Sequence, residues 1–221
     1  MNRTAFNLTL ITLVLSLLWL ALMFATLSSA GPLDSFEQIL AHVANPGRVY
    51  FWNYLNAALL TISVSGFFAA LYRIVRSATP TRAGVGLTFV PVYCVINLFC
   101  YLSQVTIVPA LAAGLAQPET APIARLLLAE LVHEWPVSTV AFFNALAYAL
   151  LGIPSILYGL ALFRESGALR AGGLLLALNG AACVLGVTGL LLNISTLALA
   201  TLIGGGLFTA ALPLIAFGLR E

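Results

Sequence analysis

The chain has 221 residues, of which 62% are hydrophobic and only 7% charged, and its mean hydropathy is +1.07. A water-soluble domain carries about 25% charged residues because its surface must be wetted; nine arginines and seven acids cannot do that here, so lipid is the solvent for most of the chain. The net charge of +2 carries no information about nucleic acid, since the basic residues form no groove-sized patch, and no nucleic-acid partner is expected.

In chain order, six apolar stretches are each long enough to cross roughly 30 Å of hydrocarbon at about 1.5 Å per residue. They run over residues 8–27, 50–72, 85–112, 137–163, 171–192 and 197–219. The fold expected is an all-α polytopic membrane protein, a bundle of six transmembrane helices forming a single domain over residues 1–221. Ser28-Ser29-Ala30 before Gly31 has the small-residue pattern of a signal-peptidase site. The apolar run ahead of it exceeds the 7–15 residues of a signal core, so the first segment is read as a retained helix. The last two stretches are separated only by residues 193–196, enough for a tight turn.

Two loops carry helical patterns of their own. Over residues 34–44, Asp34 and Glu37 have capping-box spacing, and Phe36, Ile39, Leu40 and Val43 form one apolar face. Over residues 122–135, Ala124, Leu127, Leu128, Leu131 and Trp135 form an apolar face, opposite Arg125, Glu130, His133 and Glu134. Both segments are expected to be short amphipathic helices lying on the membrane interface.

Arginine placement sets the orientation. In a six-span chain Arg3, Arg73, Arg76, Arg82, Arg164, Arg170 and Arg220 fall on one side, and only Arg48 and Arg125 on the other. By the positive-inside rule the first side is cytoplasmic. Both termini are then expected in the cytoplasm, with the two amphipathic helices and both histidines outside, and the membrane is expected to be a bacterial inner (plasma) membrane.

A shift of 91 residues aligns the second and fourth stretches without a gap, Phe51-Trp52-Asn53 falling on Phe142-Phe143-Asn144 and Arg73 on Arg164. Upstream in the same register His42 meets His133. This pattern suggests a parallel internal repeat, with chance similarity of leucine-rich helices as the alternative; repeated transmembrane units often place a binding site at their interface.

No Asp, Glu, Lys, Arg or His lies near the centre of a stretch, which argues against a proton-coupled mechanism. Amides and hydroxyls are present instead. Asn97, Tyr101 and Gln104 share one helical face, and that face must point inward because an amide facing lipid stays unsatisfied. With Asn144 and Tyr148 they form the candidate ligand-binding set, against the simpler reading of hydrogen bonds between helices. Pro91, Pro109, Pro154 and Pro213 are expected to kink their helices. Gly204-Gly205-Gly206 and the Ala21/Ala25 pair are expected to permit close helix packing. Cys94, Cys100 and Cys183 sit in apolar stretches and behave as small hydrophobes.

Glu130-x-x-His133 has the spacing used in carboxylate-bridged di-iron bundles, where it occurs twice alongside further glutamates. Here it occurs once. With His42 it makes a candidate metal set (His42, Glu130, His133), against the reading of solvated interfacial side chains. Ser63-Val64-Ser65-Gly66 departs from the Gly-x-Ser-Gly of intramembrane serine proteases at its first position, and no histidine lies within a stretch to act as base. No cofactor is expected. In the order of long apolar helix, amphipathic helix, helix and Arg-rich loop, the chain resembles bacterial multi-helix membrane-protein families of unknown function. The resemblance implies the same helical membrane architecture and no activity.

The leading functional expectation is a non-enzymatic binding or accessory subunit for a lipid-like amphiphile or a partner membrane subunit. The alternatives are a small-solute transporter or channel, and a metal- or haem-dependent membrane enzyme or redox subunit.

Overall fold

The structure, a computed structural model, describes residues 3–220. Among these residues every regular element is helical: α1 (Arg3–Ala30), α2 (Phe36–Ala44), α3 (Arg48–Val75), α4 (Pro80–Val105), α5 (Ile107–Gly114), α6 (Ala121–Leu131), α7 (Thr139–Leu162), α8 (Gly167–Leu191), α9 (Ser195–Ala198) and α10 (Ala200–Arg220). Six segments are long and apolar enough to cross a membrane: Arg3–Ala30, Arg48–Val75, Pro80–Gly114, Thr139–Leu162, Gly167–Leu191 and Ser195–Arg220. The chain is a multi-pass helical membrane protein.

The third segment is two helices. Thr106, at φ −123° and ψ −63°, separates α4 from α5. The cause lies three residues on: Pro109 has no N–H to offer the carbonyl of Val105, so the hydrogen-bond ladder fails where α4 ends. The kink expected at Pro109 is therefore a break. Thr106 returns its hydroxyl to the Leu102 carbonyl at 2.7 Å. Pro91, Pro154 and Pro213 stay inside α4, α7 and α10.

The cap of α2 falls one residue later than the spacing of Asp34 and Glu37 suggests. Ser35 is the N-cap, accepting from the Gln38 amide at 3.3 Å, while Gln38 Oε1 accepts from the Ser35 and Asp34 amides at 3.1 and 2.9 Å. Glu37 instead makes an ion pair with Arg125. The face of α2 is as expected, with Ile39, Leu40 and Val43 buried. α6 stops at Leu131, four residues short of the expected end, and buries Ala124 and Leu128. Leu127 is 41% exposed, beside exposed Ile123 and Leu126, so α6 is apolar on more than one side.

Cα packing divides the described residues into two compact units. The first comprises residues 3–17, 60–95 and 145–220, the second residues 18–59 and 96–144. α8 organises the first unit through glycine. Gly152 and Gly159 of α7 face Gly180 and Gly173 of α8: a Cβ on Gly152 would lie 2.7 Å from the Gly180 carbonyl oxygen, and one on Gly173 2.7 Å from that of Gly159. A different side of α8 meets α10, where Gly172 faces Ile215 and Gly204 faces Cys183. Of the glycine triplet only Gly204 makes such a contact; Gly205 and Gly206 face open space. Ala21 and Ala25 are exposed and make no close seam within the chain. Asn179 crosses from α8 to the Gly204 carbonyl at 2.9 Å, and Tyr158 reaches the Ala83 carbonyl at 2.9 Å. Asn193, at φ 55°, ends α8 in the left-handed conformation that asparagine tolerates.

The second unit packs α2, α5 and α6 with the parts of α3 and α4 it contains. Ile39, Leu40, Val43, Tyr50, Tyr54, Tyr101, Val108, Leu128 and Val132 make up most of its core.

Candidate functional site

The second unit gathers most of the chain's polar aromatic groups. Tyr50 and Tyr54 are one turn apart at the start of α3, so they share a face, with ring centroids 4.8 Å apart. α2 brings the His42 ring edge-on to Tyr50 at 5.5 Å. α4 contributes Tyr101, 6.2 Å from Tyr54. The segment after α6 adds His133, 5.7 Å from Tyr54 and 6.0 Å from Tyr101. The Tyr54 hydroxyl donates to Glu134 Oε1 at 2.6 Å and lies 3.1 Å from His133 Nδ1. All three tyrosines are buried.

Gln104 holds this arrangement together. Its side chain is fully buried, and its amide nitrogen donates to the carbonyls of Cys100 and Leu131 at 3.1 and 2.9 Å and to the Ser103 hydroxyl at 2.9 Å. Its oxygen accepts from the His133 amide at 3.0 Å and the Tyr50 hydroxyl at 3.5 Å. The side-chain amide thus pairs with the backbone on both sides of Val132, which is extended at φ −73° and ψ 121°. That pairing takes the Leu131 carbonyl and the His133 amide out of helical bonding and aims His133 and Glu134 at Tyr54. Gln104 has no hydrogen-bonding capacity left for a ligand; it is a positioning residue.

Two polar atoms of the cluster are unsatisfied. Glu134 Oε2 and His42 Nε2 are both buried without a hydrogen-bond partner. The cluster therefore holds one unpaired acceptor and one unpaired imidazole nitrogen beside three phenol rings.

Tyr101 and Gln104 belong to the cluster. Asn97 and Asn144 pair with each other, Asn144 Nδ2 donating to Asn97 Oδ1 at 3.1 Å. Tyr148 lies in the first unit, its ring 5.9 Å from that of Tyr93. The amide pair is expected to contribute the modest energy of a polar contact between membrane helices, about 0.6–2 kcal/mol; a double-mutant cycle over Asn97→Leu and Asn144→Leu, read by thermal unfolding in detergent, measures it.

The metal set likewise separates. Because α6 ends at Leu131, Glu130 and His133 do not share a helical face. The Glu130 carboxylate accepts from the Thr139 hydroxyl, and His133 engages Tyr54. Among the described residues no three His, Cys, Asp or Glu side chains are grouped as metal ligands. The cysteines are free, with Cys100 and Cys183 buried.

Tyr50 and Tyr54 are absent from the sequence-derived set, although their spacing of four at the start of a span is a visible signal. Comparison with known proteins finds no matching family, no matching curated protein and no matching solved structure.

Proposed function

We propose that this chain is a non-enzymatic binding protein or accessory subunit of a bacterial inner membrane, with both termini in the cytoplasm, and that it holds a lipid-like amphiphile with a cationic headgroup in the tyrosine–histidine–glutamate cluster. The orientation is supported by the seven-to-two division of arginines, which persists when the helix limits replace the hydropathy limits. Helices α3–α4 and α7–α8 are read as a parallel duplication. α3 and α7 begin at Arg48 and Thr139, the same 91-residue offset that aligns the sequences.

The observation that carries the binding assignment is the pair of unsatisfied atoms, Glu134 Oε2 and His42 Nε2. Buried polar groups in folded proteins are nearly always hydrogen-bonded, and an exception calls for a missing partner. A carboxylate with one oxygen held by Tyr54 and the other buried without a donor, beside tyrosine rings, suits a primary alkylammonium group, which brings N–H donors as well as charge and cation–π attraction.

Titration of the purified protein in a maltoside detergent with dodecylammonium, whose N–H groups can donate to the carboxylate, followed by thermal unfolding, tests this. The cationic amphiphile is expected to raise the midpoint, and Glu134→Gln to weaken the response about tenfold, equivalent to roughly 1.4 kcal/mol. An equal response to dodecyl sulfate, or an undiminished response in Glu134→Gln, would refute the assignment.

A further inference from the structure

The first unit contains a crevice between α1 and α3 of about 260 Å3, lined by Thr4, Leu8, Gly66, Ala69, Ala70 and Arg73. Its shape follows from the sequence. Gly66, Ala69, Ala70 and Arg73 fall on one face of α3, and the first three are too small to fill the space against α1. At one end Leu8 closes on Gly66, where a Cβ would stand 3.4 Å from the leucine methyl. Arg73 stands seven residues along, a rise of about 10 Å.

Arg73 is exposed, and among the described residues it has no counter-ion. Among the described residues the only ion pair is Arg125 with Glu37, both in the second unit. Arg3 adjoins Thr4 in the chain and is also exposed. Arg73 sits in the last turn of α3, where a cation complements the helix dipole. An apolar trough ending at a hydroxyl and an unpaired guanidinium complements one kind of molecule: an acyl chain joined to an anionic headgroup.

We propose that this crevice binds an anionic phospholipid, with part of one acyl chain over Gly66, Ala69 and Ala70 and the headgroup phosphate on Arg73 and Thr4. Guanidinium suits the role because its planar fork matches phosphate oxygens two at a time. On the topology proposed above, this end of α3 lies at the cytoplasmic leaflet, where anionic lipids attract basic side chains. The crevice shares no residue with the tyrosine cluster, so either site can fail without the other.

The test is native mass spectrometry of the full chain released from nanodiscs of phosphatidylglycerol and phosphatidylcholine in equal parts. Wild-type protein is expected to retain phosphatidylglycerol over phosphatidylcholine by about fivefold, the worth of one arginine near an anionic surface. Arg73→Gln should bring the ratio to unity, and Arg73→Lys should keep a preference. Ala69→Leu, at an exposed position, should fill the trough and lower the retention of both lipids. An even ratio in wild-type protein overturns the proposal by itself, as does enrichment that survives Arg73→Gln, since the lipid would then be annular only.

Discussion

Replacing Gly159 with leucine is expected to prevent α7 and α8 from packing and to abolish a monodisperse folded protein. A Cβ at Gly159 would lie 2.5 Å from the Ala177 nitrogen and 2.6 Å from the Gly173 carbonyl oxygen. Both are backbone atoms, so no side chain can swing aside; the helices themselves must separate. Separation also opens the matched contact at Gly152 and Gly180, because the two pairs lie along one antiparallel seam. Membrane helices have no hydrophobic force pressing them together, so close backbone packing of this kind holds the pair. Overpacking a well-packed interior costs about 1–3 kcal/mol when side chains can adjust, and more is expected here. Size-exclusion profile and thermal midpoint in detergent measure the effect. Gly205→Leu is the control: nothing lies within 4 Å of the Cβ position there, and its profile should match wild type. Wild-type behaviour in Gly159→Leu would mean that the seam does not hold α7 to α8.

The seam also shows what the sequence left unread. Gly152 and Gly159 are seven apart, as are Gly173 and Gly180, and that spacing is visible. Which glycine faces which is tertiary information, and composition points equally to Gly204-Gly205-Gly206, of which one residue makes a close contact. The six spans were legible for a different reason. Lipid forces every backbone group into an internal bond and every surface residue to be apolar, so length and hydropathy suffice. The break at Thr106 was not legible in that way, since Pro91, Pro154 and Pro213 remove the same kind of donor as Pro109 and stay inside their helices.

The cluster was half legible. Inward orientation of Asn97, Tyr101 and Gln104 followed from the cost of an unsatisfied amide in lipid, and all three are buried. What they meet did not follow. Gln104 finds partners 27 and 29 residues later, in a stretch whose apolar periodicity reads as helix as far as Trp135. The helix is overridden there because a buried side-chain amide competes for the same backbone groups. For that reason Glu130 and His133 do not share a helical face, while Tyr54, His133 and Glu134 come together.

Gln104→Leu is accordingly expected to be the most damaging single change in the second unit. Leucine is close in volume and fills the space, but it leaves the Leu131 carbonyl and the His133 amide without the partners they have in the folded chain. Each unsatisfied buried group costs about 1–3 kcal/mol, so roughly 2–6 kcal/mol is lost unless Val132 and its neighbours rearrange. Rearrangement is itself observable, because the His133 amide is held by Gln104 alone. In hydrogen exchange, a peptide covering residues 130–136 should lose protection by about 30-fold or more, while peptides from α8 and α10 should keep theirs. Gln104→Glu should do no better: a carboxylate still accepts from His133 and Tyr50, but it faces the Cys100 and Leu131 carbonyls with no proton to offer. Since the same segment carries Glu134, either variant should also lose the response to dodecylammonium. Protection unchanged at residues 130–136 would show that the segment holds its course without the amide, and the placement of His133 and Glu134 would then have to come from the packing of Val132 and Trp135 alone.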